Sequence, residues 1–226
     1  MKIVEIFDSI DGEGIRTGQT ATFIRLAGCN LRCGYCDTLY ALFGEEEPCE
    51  YTEMTIEEVI QKVNKSYKRV TLTGGEPLLQ TDSAKLVSRL LSDGYEVNIE
   101  TNGAVDITEF LSRIPRSDKL FFTIDYKLPS SGMTDRMIWK NFLNLRPRDV
   151  VKFVVGSDED VRVTIEIVKR LRDVYSEMPH IFIGAVYGRF DIRSLVEIIL
   201  KEPILKDARL QVQLHKIIWD PNERGV

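Results

Sequence analysis

The chain of 226 residues is 43% hydrophobic and has a formal net charge of −5, which suits one globular domain spanning residues 1–226. An acidic balance without a basic run argues against nucleic-acid binding. Because no long apolar stretch is present, we expect neither a signal peptide nor a membrane span, and therefore a cytoplasmic protein.

Short apolar runs alternate with amphipathic stretches, which is typical of a parallel α/β protein. Thr55 and Glu58 form the pattern of a capping box and predict a helix start. A second helix, with Leu86 and Leu90 on its apolar face, is predicted to end at Gly94. Strands are predicted near 21–27, 69–72, 95–100, 119–124, 150–155, 181–186 and 209–214.

Three cysteines, Cys29, Cys33 and Cys36, follow the first predicted strand. A cubane iron-sulfur cluster has four irons, and each takes one thiolate. Three cysteines would therefore leave one iron open to another ligand. Structural zinc is the alternative, but it needs four ligands and no second half-site is visible. A disulfide framework is disfavoured by the chain length and the small cysteine count. The fourth cysteine, Cys49, is expected to be exposed or half-buried and without chemistry.

The run Thr73–Pro77 follows the strand predicted at 69–72. Its two glycines permit close backbone approach and positive φ, and its proline sets the next turn. By itself this is an ordinary turn at the end of a strand. Ligands of parallel barrels lie at the carboxyl ends of the strands, where this loop and the cysteine loop both fall.

Polar and apolar residues alternate in three predicted strands, so each strand has one polar face. The polar residues are Arg25 in the first strand, Glu96, Asn98 and Glu100 in a middle strand, and Gln211, Gln213 and His215 in the last. A sheet covered by helices on both sides is apolar on both faces. We therefore predict a parallel partial (open) barrel whose inner face is a polar cavity; an edge strand with a solvated face is the alternative for any one strand.

The cysteine spacing, with Tyr35 before the last cysteine, resembles the signature of the radical S-adenosylmethionine (SAM) enzymes. The Thr73–Pro77 run is similar to their GGEP element, which binds the amino end of SAM. This resemblance implies an α/β fold with a parallel open barrel of the radical-SAM type and the cluster loop after the first barrel strand. It also implies a [4Fe-4S] cluster whose open iron chelates SAM, and chemistry by hydrogen-atom abstraction.

Further motifs resemble the 7-carboxy-7-deazaguanine synthases, which are radical-SAM carbon-nitrogen lyases. The matching segments are Glu5–Gly14, Phe23–Arg25, Gly28–Leu31, Cys36–Thr38, Thr73–Pro77, Glu100–Gly103, Asp125–Lys127, Lys152–Val155 and Gln211–Lys216. Enzymes of this family contract 6-carboxytetrahydropterin to 7-carboxy-7-deazaguanine with loss of ammonia, on the route to queuosine. The resemblance also implies Mg²⁺, a flavodoxin or ferredoxin as reductant, and a homodimer.

The family's functional residues carry over where the motifs match. The implied catalytic set is Cys29, Cys33, Cys36 and Thr38, with the cysteines as ligands of the cluster and Thr38 as the protein ligand of Mg²⁺. The implied SAM-binding residues are Tyr35, Cys36, Asp37, Gly75, Glu76, Asp125, Tyr126 and Lys127. The implied substrate-binding residues are Ile10, Asp11, Gly12, Glu13, Arg25, Thr73 and His215.

The local sequence leaves other roles open. Thr38 could cap a helix, Arg25 could be a salt-bridged strand residue, and His215 could be a satisfied structural histidine. The chain as a whole could be a radical-SAM activase that forms a glycyl radical on a partner enzyme, or a non-catalytic iron-sulfur carrier. The Asp11–Glu13 segment, Thr38 and the motif around His215 disfavour the activase, and an open iron beside a SAM-binding loop disfavours the carrier.

Overall fold

A computed structural model describes residues 1–43 and 49–226. Its strands are β1 (Lys2–Ile10), β2 (Thr20–Leu26), β3 (Thr52–Glu53), β4 (Arg69–Gly74), β5 (Glu96–Thr101), β6 (Leu120–Asp125), β7 (Val150–Val155), β8 (His180–Ala185) and β9 (Arg209–Gln211). Its helices are α1 (Ile56–Lys62), α2 (Ser83–Ser92), α3 (Ile107–Leu111), α4 (Asp158–Val174), α5 (Ile192–Lys201) and α6 (His215–Ile218). No helix among these residues is both long and apolar enough to cross a bilayer.

The strands form one sheet in the order β3-β1-β2-β4-β5-β6-β7-β8-β9. From β2 to β9 every pairing is parallel, whereas β1 pairs antiparallel with both β2 and β3. The sheet does not close, since β3 and β9 lie at its two edges. This confirms the predicted α/β fold with an open parallel barrel, and the cysteine loop follows β2, the first parallel strand.

The hydrophobic core lies between the outer face of the sheet and the helices. Leu72, Ile99 and Phe153 of three strands are fully buried, as are Leu86 of α2 and Leu171 of α4. Each such side chain stabilises the fold by about 1.5–3 kcal/mol relative to exposure. The helices therefore cover one face of the sheet and leave its other face to the polar side chains.

Two predicted helix boundaries are confirmed. In the capping box of α1, the amide of Glu58 donates to Thr55 Oγ1 at 3.2 Å and the amide of Thr55 donates to Glu58 Oε2 at 2.7 Å. Beyond the end of α2, Gly94 has φ +86°, a left-handed conformation that favours glycine and turns the chain into β5.

The inner face of the sheet is polar across several strands, which confirms the prediction for the first strand and for the one middle strand. Register neighbours on this face are Arg25 with Thr73, Glu100 with Thr123, and Asp125 with Lys152. Because neighbouring parallel strands end at the same edge, the loops that follow them gather around these side chains. The fold thus places a row of charged and hydroxyl groups beneath the cysteine loop.

β1 is a strand that the sequence prediction missed. A register shift between Ile3 and Glu5 interrupts its pairing with β2. Such a bulge breaks the two-residue period by which a half-buried strand is recognised. Apolar residues consequently fall on both sides of β1 and hide its strand character.

The last predicted strand is wrong in its length and in its apolar face. β9 ends at Gln211, and His215 begins the short helix α6 instead of ending a strand face. Leu210 and Val212 are exposed, because β9 is an edge strand with a neighbour on one side only. Cys49 also differs from expectation, since its side chain is buried.

Candidate active site

The three cysteines lie in the loop that follows β2, and each is a free, half-buried thiol. Burial raises the pKa of Cys33 and of Cys36. The ammonium of Lys127 opposes both shifts. Because the thiolate is the form that binds iron, a cation beside this loop favours the ligand state.

The donor set fits an iron-sulfur cluster better than zinc. Within residues 1–43 and 49–226, no three His, Cys, Asp or Glu side chains converge on one point as ligands of a single ion do. Cysteines of a cubane cluster need not converge in this way, because each binds a different iron. Cys29, Cys33 and Cys36 would hold three irons and leave the fourth without a protein ligand.

The loop after β4 is bonded directly to the cysteine loop. The amide of Gly75 donates to the carbonyl oxygen of Leu26 at 3.0 Å, and the amide of Glu76 donates to that of Gly28 at 2.7 Å. A Cβ on Gly75 would lie 2.3 Å from the Gly28 oxygen and 2.9 Å from Cys29 Cβ. Only glycine permits this approach, so the two motifs are built as one unit.

The carboxylate of Glu76 is fully buried and faces protein donors. It accepts hydrogen bonds from the amides of Leu78 at 3.0 Å and Asn102 at 2.7 Å, and from Thr101 Oγ1 at 2.9 Å. Burial, opposed by these amides, raises the pKa of Glu76 to about 7. Asn102 in turn donates to Asn30 Oδ1 at 2.8 Å. Glu76 therefore ties the end of β5 to the cysteine loop, and its contact with SAM stays a prediction.

Asp125 and Lys127, at the end of β6, lie beside the cysteine loop. Lys127 Nζ is 2.6 Å from Asp125 Oδ2. Burial, only partly offset by Lys127, raises the pKa of Tyr35 to about 12 and keeps this phenol neutral. Only the ring of Tyr126 is turned away from the site, because it packs in the core 5.3 Å from the ring of Phe142, measured between centroids.

Asp37 and Thr38 end the cysteine loop close to α6. Lys216 Nζ of α6 is 2.9 Å from Asp37 Oδ2. Although partial desolvation of this half-exposed carboxylate opposes the shift, the ammonium lowers the pKa of Asp37 to about 2. Thr38 occupies the cap position of a short 3-10 turn, yet its hydroxyl makes no capping bond and donates to Asp37 Oδ1 at 3.0 Å. The side chain of Thr38 therefore does not cap the turn, which was the alternative role considered for it.

The segment Ile10–Glu13 follows β1 and meets the start of α6. A Cβ on Gly12 would lie 3.0 Å from His215 Nδ1, and the amide of Leu214 donates to the Gly12 oxygen at 3.3 Å. His215 thus lies with the predicted substrate residues, although on a helix. Burial lowers the pKa of His215, while the carboxylate of Glu13 opposes this shift.

The carboxylate of Asp11 is buried in an internal ion pair. Its Oδ2 is 2.9 Å from Arg16 Nε, and its Oδ1 accepts from Thr71 Oγ1 at 2.7 Å. Both side chains of the ion pair are almost completely inaccessible. The backbone is also engaged, since the Asp11 amide donates to the Gln19 oxygen and the Asp11 oxygen accepts from the Gly18 amide, both at 2.8 Å. Asp11 therefore anchors the segment, and its contact with substrate stays a prediction.

Arg25 forms a salt bridge, which was the alternative to substrate binding in the sequence analysis. Its Nε donates to Glu5 Oε1 at 2.6 Å, and Tyr40 donates to the same oxygen at 2.9 Å. This bond uses Nε, and no other hydrogen bond of the guanidinium occurs within residues 1–43 and 49–226, so among these residues its terminal nitrogens are open to a ligand. The chain's last residues reach this cluster, since the Arg224 guanidinium lies 3.8 Å from the Tyr40 ring centroid.

Sequence reasoning gave no individual role to Lys152, Glu100 or Lys216, although each lies in a motif that carries the family resemblance. Glu100 accepts from Thr73 Oγ1 at 2.9 Å, and Lys152 Nζ is 2.7 Å from Glu13 Oε2. A lysine between two buried residues of a strand is the signal that could have identified Lys152. Lys216 had no such signal, because its partner Asp37 lies far away in sequence.

A surface depression of about 270 Å³ lies at the opposite end of the sheet, lined by Gln19, Lys68, Arg69, Gly94, Glu96 and Lys119. Lys68 and Lys119 donate there to backbone oxygens of the turn after α2. Because these cations bond to the protein itself and the depression is open, we assign the chemistry to the carboxyl ends of the strands.

Comparison with known proteins identifies the family of the chain. The family model described as Radical SAM superfamily matches residues 23–199. A 7-carboxy-7-deazaguanine synthase of Clostridium acetobutylicum is 44% identical over 227 residues, covering 100% of this chain and 99% of the relative. A protein of the same name from Methanospirillum hungatei is 39% identical, covering 98% of this chain and 86% of the relative.

Among solved structures, the crystal structure of QueE from Escherichia coli matches with a TM-score of 0.71 at 22% identity, covering 92% of each chain. That likeness shows the shared fold. The family match and the full-length relatives show more: the chain belongs to the radical SAM superfamily and, within it, to the 7-carboxy-7-deazaguanine synthase family.

Proposed function

We propose that this protein is a 7-carboxy-7-deazaguanine synthase that contracts 6-carboxytetrahydropterin with loss of ammonia, as a step towards queuosine. The observation that carries the proposal is the junction of two loops: the GGEP element is hydrogen-bonded to the cysteine loop through Gly75 and Glu76. The polar inner face of the sheet, with Glu13, Arg25 and His215 around it, lies next to this junction.

The cofactors are a [4Fe-4S] cluster and SAM, which together supply a carbon-centred radical for hydrogen-atom abstraction. Cys29, Cys33 and Cys36 hold the cluster. The SAM-binding groups are Tyr35, Cys36, Asp37, Gly75, Glu76, Asp125, Lys127 and, through its backbone only, Tyr126. Lys127 pairs with Asp125 at 2.6 Å and fixes that carboxylate beside the cysteine loop.

Thr38 is proposed as the protein ligand of a Mg²⁺ ion. Mg²⁺ prefers oxygen ligands and keeps several waters, so one hydroxyl and an oxygen of the substrate suffice on the protein side. The neighbouring Asp37 carboxylate already accepts a hydrogen bond from the Thr38 hydroxyl at 3.0 Å and pairs with Lys216. It therefore orients the Thr38 oxygen and adds negative charge near the cation.

The substrate would lie on the polar face, between the segment Ile10–Glu13 and β2. Arg25 offers its terminal nitrogens to the substrate carboxylate, as the planar fork of arginine suits a carboxylate. Glu13 offers a carboxylate to the donor-rich edge of the pterin ring. Thr73 and His215 complete the contacts from β4 and α6.

We further propose a cytoplasmic enzyme of one domain that acts as a homodimer and receives electrons from a flavodoxin or ferredoxin. Exposed apolar side chains near β9, Leu210, Val212, Ile217 and Ile218, support a surface for self-association. Sedimentation velocity tests this point, since a chain that stays monomeric at micromolar concentration would contradict the dimer.

The function is tested by anaerobic reconstitution of the cluster, followed by incubation with SAM, reductant, Mg²⁺ and 6-carboxytetrahydropterin. Product is detected by mass and ultraviolet spectrum. The matched control is Cys33→Ala, which removes one cluster ligand. Product from the wild type and none from Cys33→Ala is the expected result, whereas SAM cleavage without product would favour the activase.

A further inference from the structure

Lys152 occupies the centre of the polar face without a role in the proposed reaction. It lies on β7 between the buried residues Val151 and Phe153, so its side chain projects to the inner side of the sheet. The side chain is 12% exposed, and Nζ is 2.7 Å from Glu13 Oε2. A nearly buried ammonium thus adjoins a carboxylate that we place against the substrate.

The other carboxylate near Lys152 already has a closer cation. Asp125 Oδ2 is 2.6 Å from Lys127 Nζ, whereas Asp125 Oδ1 is 3.4 Å from Lys152 Nζ. Within the described residues, Asp125 Oδ1 has no hydrogen-bond donor. An ammonium carries three donors, and Lys152 uses one of them on Glu13. Donor capacity therefore remains for a ligand in the cavity.

The surroundings keep Lys152 charged. Although burial alone opposes the charge, the carboxylates of Asp125, Glu13 and Glu100 raise the pKa of Lys152 well above its usual range. The Lys152–Glu13 pair therefore presents an ammonium and a carboxylate side by side. A ligand edge that matches it must have an acceptor next to donors.

The pyrimidine edge of a pterin has this order of groups. Its 4-oxo oxygen is an acceptor, and the adjacent N3–H and 2-amino groups are donors. A carboxylate accepts from two neighbouring N–H groups, while an ammonium donates to a carbonyl oxygen beside them. We propose that Lys152 is a specificity-determining residue that donates to the 4-oxo oxygen of the pterin while Glu13 accepts from N3–H and the 2-amino group. This inference rests on the proposed function and adds Lys152 to Glu13 as a second residue that recognises the pterin ring.

The test measures binding instead of turnover. Reconstituted protein with SAM and Mg²⁺, kept without reductant, is titrated in a calorimeter with 6-carboxypterin, which has no hydrogen at C6 to lose. The comparison ligand is 2,4-diaminopteridine-6-carboxylate, in which an amino donor replaces the 4-oxo acceptor and N3 carries no hydrogen. Glu13, which would read N3, is the same in every variant, so only the difference between variants reports on Lys152. The informative quantity is the ratio of the two affinities, because a general loss of structure lowers both together.

Lys152→Met removes the ammonium and is expected to lower the preference for 6-carboxypterin by about tenfold or more, the scale of a hydrogen bond to a charged group. Lys152→Arg keeps a cation and is expected to retain most of the preference. If Lys152→Met does not fold, Lys152→Gln replaces it, with an expected fall of about threefold because its amide still donates. Circular dichroism and the visible absorbance of the cluster check each variant.

An affinity ratio unchanged in Lys152→Met, or unchanged in Lys152→Gln where that variant is needed, would overturn the role of Lys152 and leave the proposed function standing. Wild-type protein that binds neither pteridine would overturn the proposed function, and the inference with it. A ratio that falls in the neutral variants and persists in Lys152→Arg supports the assignment.

Discussion

The backbone amide of Glu76 donates a hydrogen bond to the carbonyl oxygen of Gly28 across 2.7 Å, and so joins the loop after β4 to the loop that carries the cysteines. Backbone groups make this bond, so it depends on how closely the two chains approach. Gly75 sets that approach, because any Cβ at this position would meet the same oxygen at 2.3 Å. The proposed cluster ligands and the proposed SAM loop therefore keep a fixed mutual position.

Gly75→Ala is expected to separate the two loops and weaken SAM binding by about tenfold or more, since relieving such a clash costs about 1–3 kcal/mol. Calorimetric titration of the reconstituted protein with SAM measures the effect. The matched control is Gly34→Ala in the cysteine loop, where a Cβ would meet its nearest atom at an ordinary 3.7 Å. Equal SAM affinity in Gly75→Ala and Gly34→Ala would contradict the account.

The buried carboxylate of Glu76 makes stability depend on pH. Its pKa is raised by burial to about 7 in the folded chain, from 4.5. Between these two pH values the folded state holds a proton that the unfolded state releases. The contribution of Glu76 to stability is therefore complete below the unfolded-state pKa of 4.5 and is lost as the pH rises through the folded-state pKa of about 7.

Measured by urea unfolding of the cofactor-free chain, the unfolding free energy of the wild type should fall relative to Glu76→Gln as the pH rises from about 4.5 to about 7, by on the order of 3 kcal/mol. The exposed Glu177→Gln serves as the control and should track the wild type. A parallel pair of profiles for wild type and Glu76→Gln would show that Glu76 is not protonated in the fold.

Thr38→Ala is expected to raise the Mg²⁺ concentration needed for half-maximal product formation, because the only protein oxygen assigned to the ion is lost. Thr38→Ser keeps the hydroxyl and is expected to behave as the wild type. SAM affinity, measured separately, should be the same in all three proteins. If Thr38→Ala and Thr38→Ser shift the Mg²⁺ dependence equally, the hydroxyl is not the ligand.

Arg25→Lys is expected to weaken binding of 6-carboxypterin by about tenfold, since an ammonium replaces the paired bonds of the guanidinium. Binding of unsubstituted pterin, which lacks the carboxylate, should change little. Keeping a cation at this position preserves the charge opposite Glu5, whose oxygen lies 2.6 Å from Arg25 Nε. Loss of both affinities to the same extent would mean that Arg25 supports the site only through Glu5.

The fold and the two loop motifs could be predicted from sequence because they depend on local patterns. The capping box at Thr55 and the glycine at Gly94 act within a few residues, and the buried parallel strand β7 is an apolar run that only Lys152 interrupts. β1 escaped prediction because the register shift after Ile3 removes its period.

The site was predicted less completely, because its geometry joins residues distant in sequence. His215 was assigned to the substrate through its motif, but its place at the start of α6 follows from the contact of Leu214 with Gly12. Asp11 matched the family motif equally well, yet the partner that buries its carboxylate, Arg16, lies outside that motif. A sequence motif identifies residues, but it does not show which of their polar atoms are already bonded within the protein and which can bind a ligand.

The most direct test of the central claim compares two products in one anaerobic reaction of the reconstituted protein with SAM, reductant, Mg²⁺ and 6-carboxytetrahydropterin. We propose that the abstracted hydrogen returns and regenerates SAM as a cofactor, so the account predicts that 7-carboxy-7-deazaguanine accumulates in clear excess over 5′-deoxyadenosine. Release of 5′-deoxyadenosine with no 7-carboxy-7-deazaguanine would contradict the proposed function, while leaving the membership in the radical SAM superfamily intact.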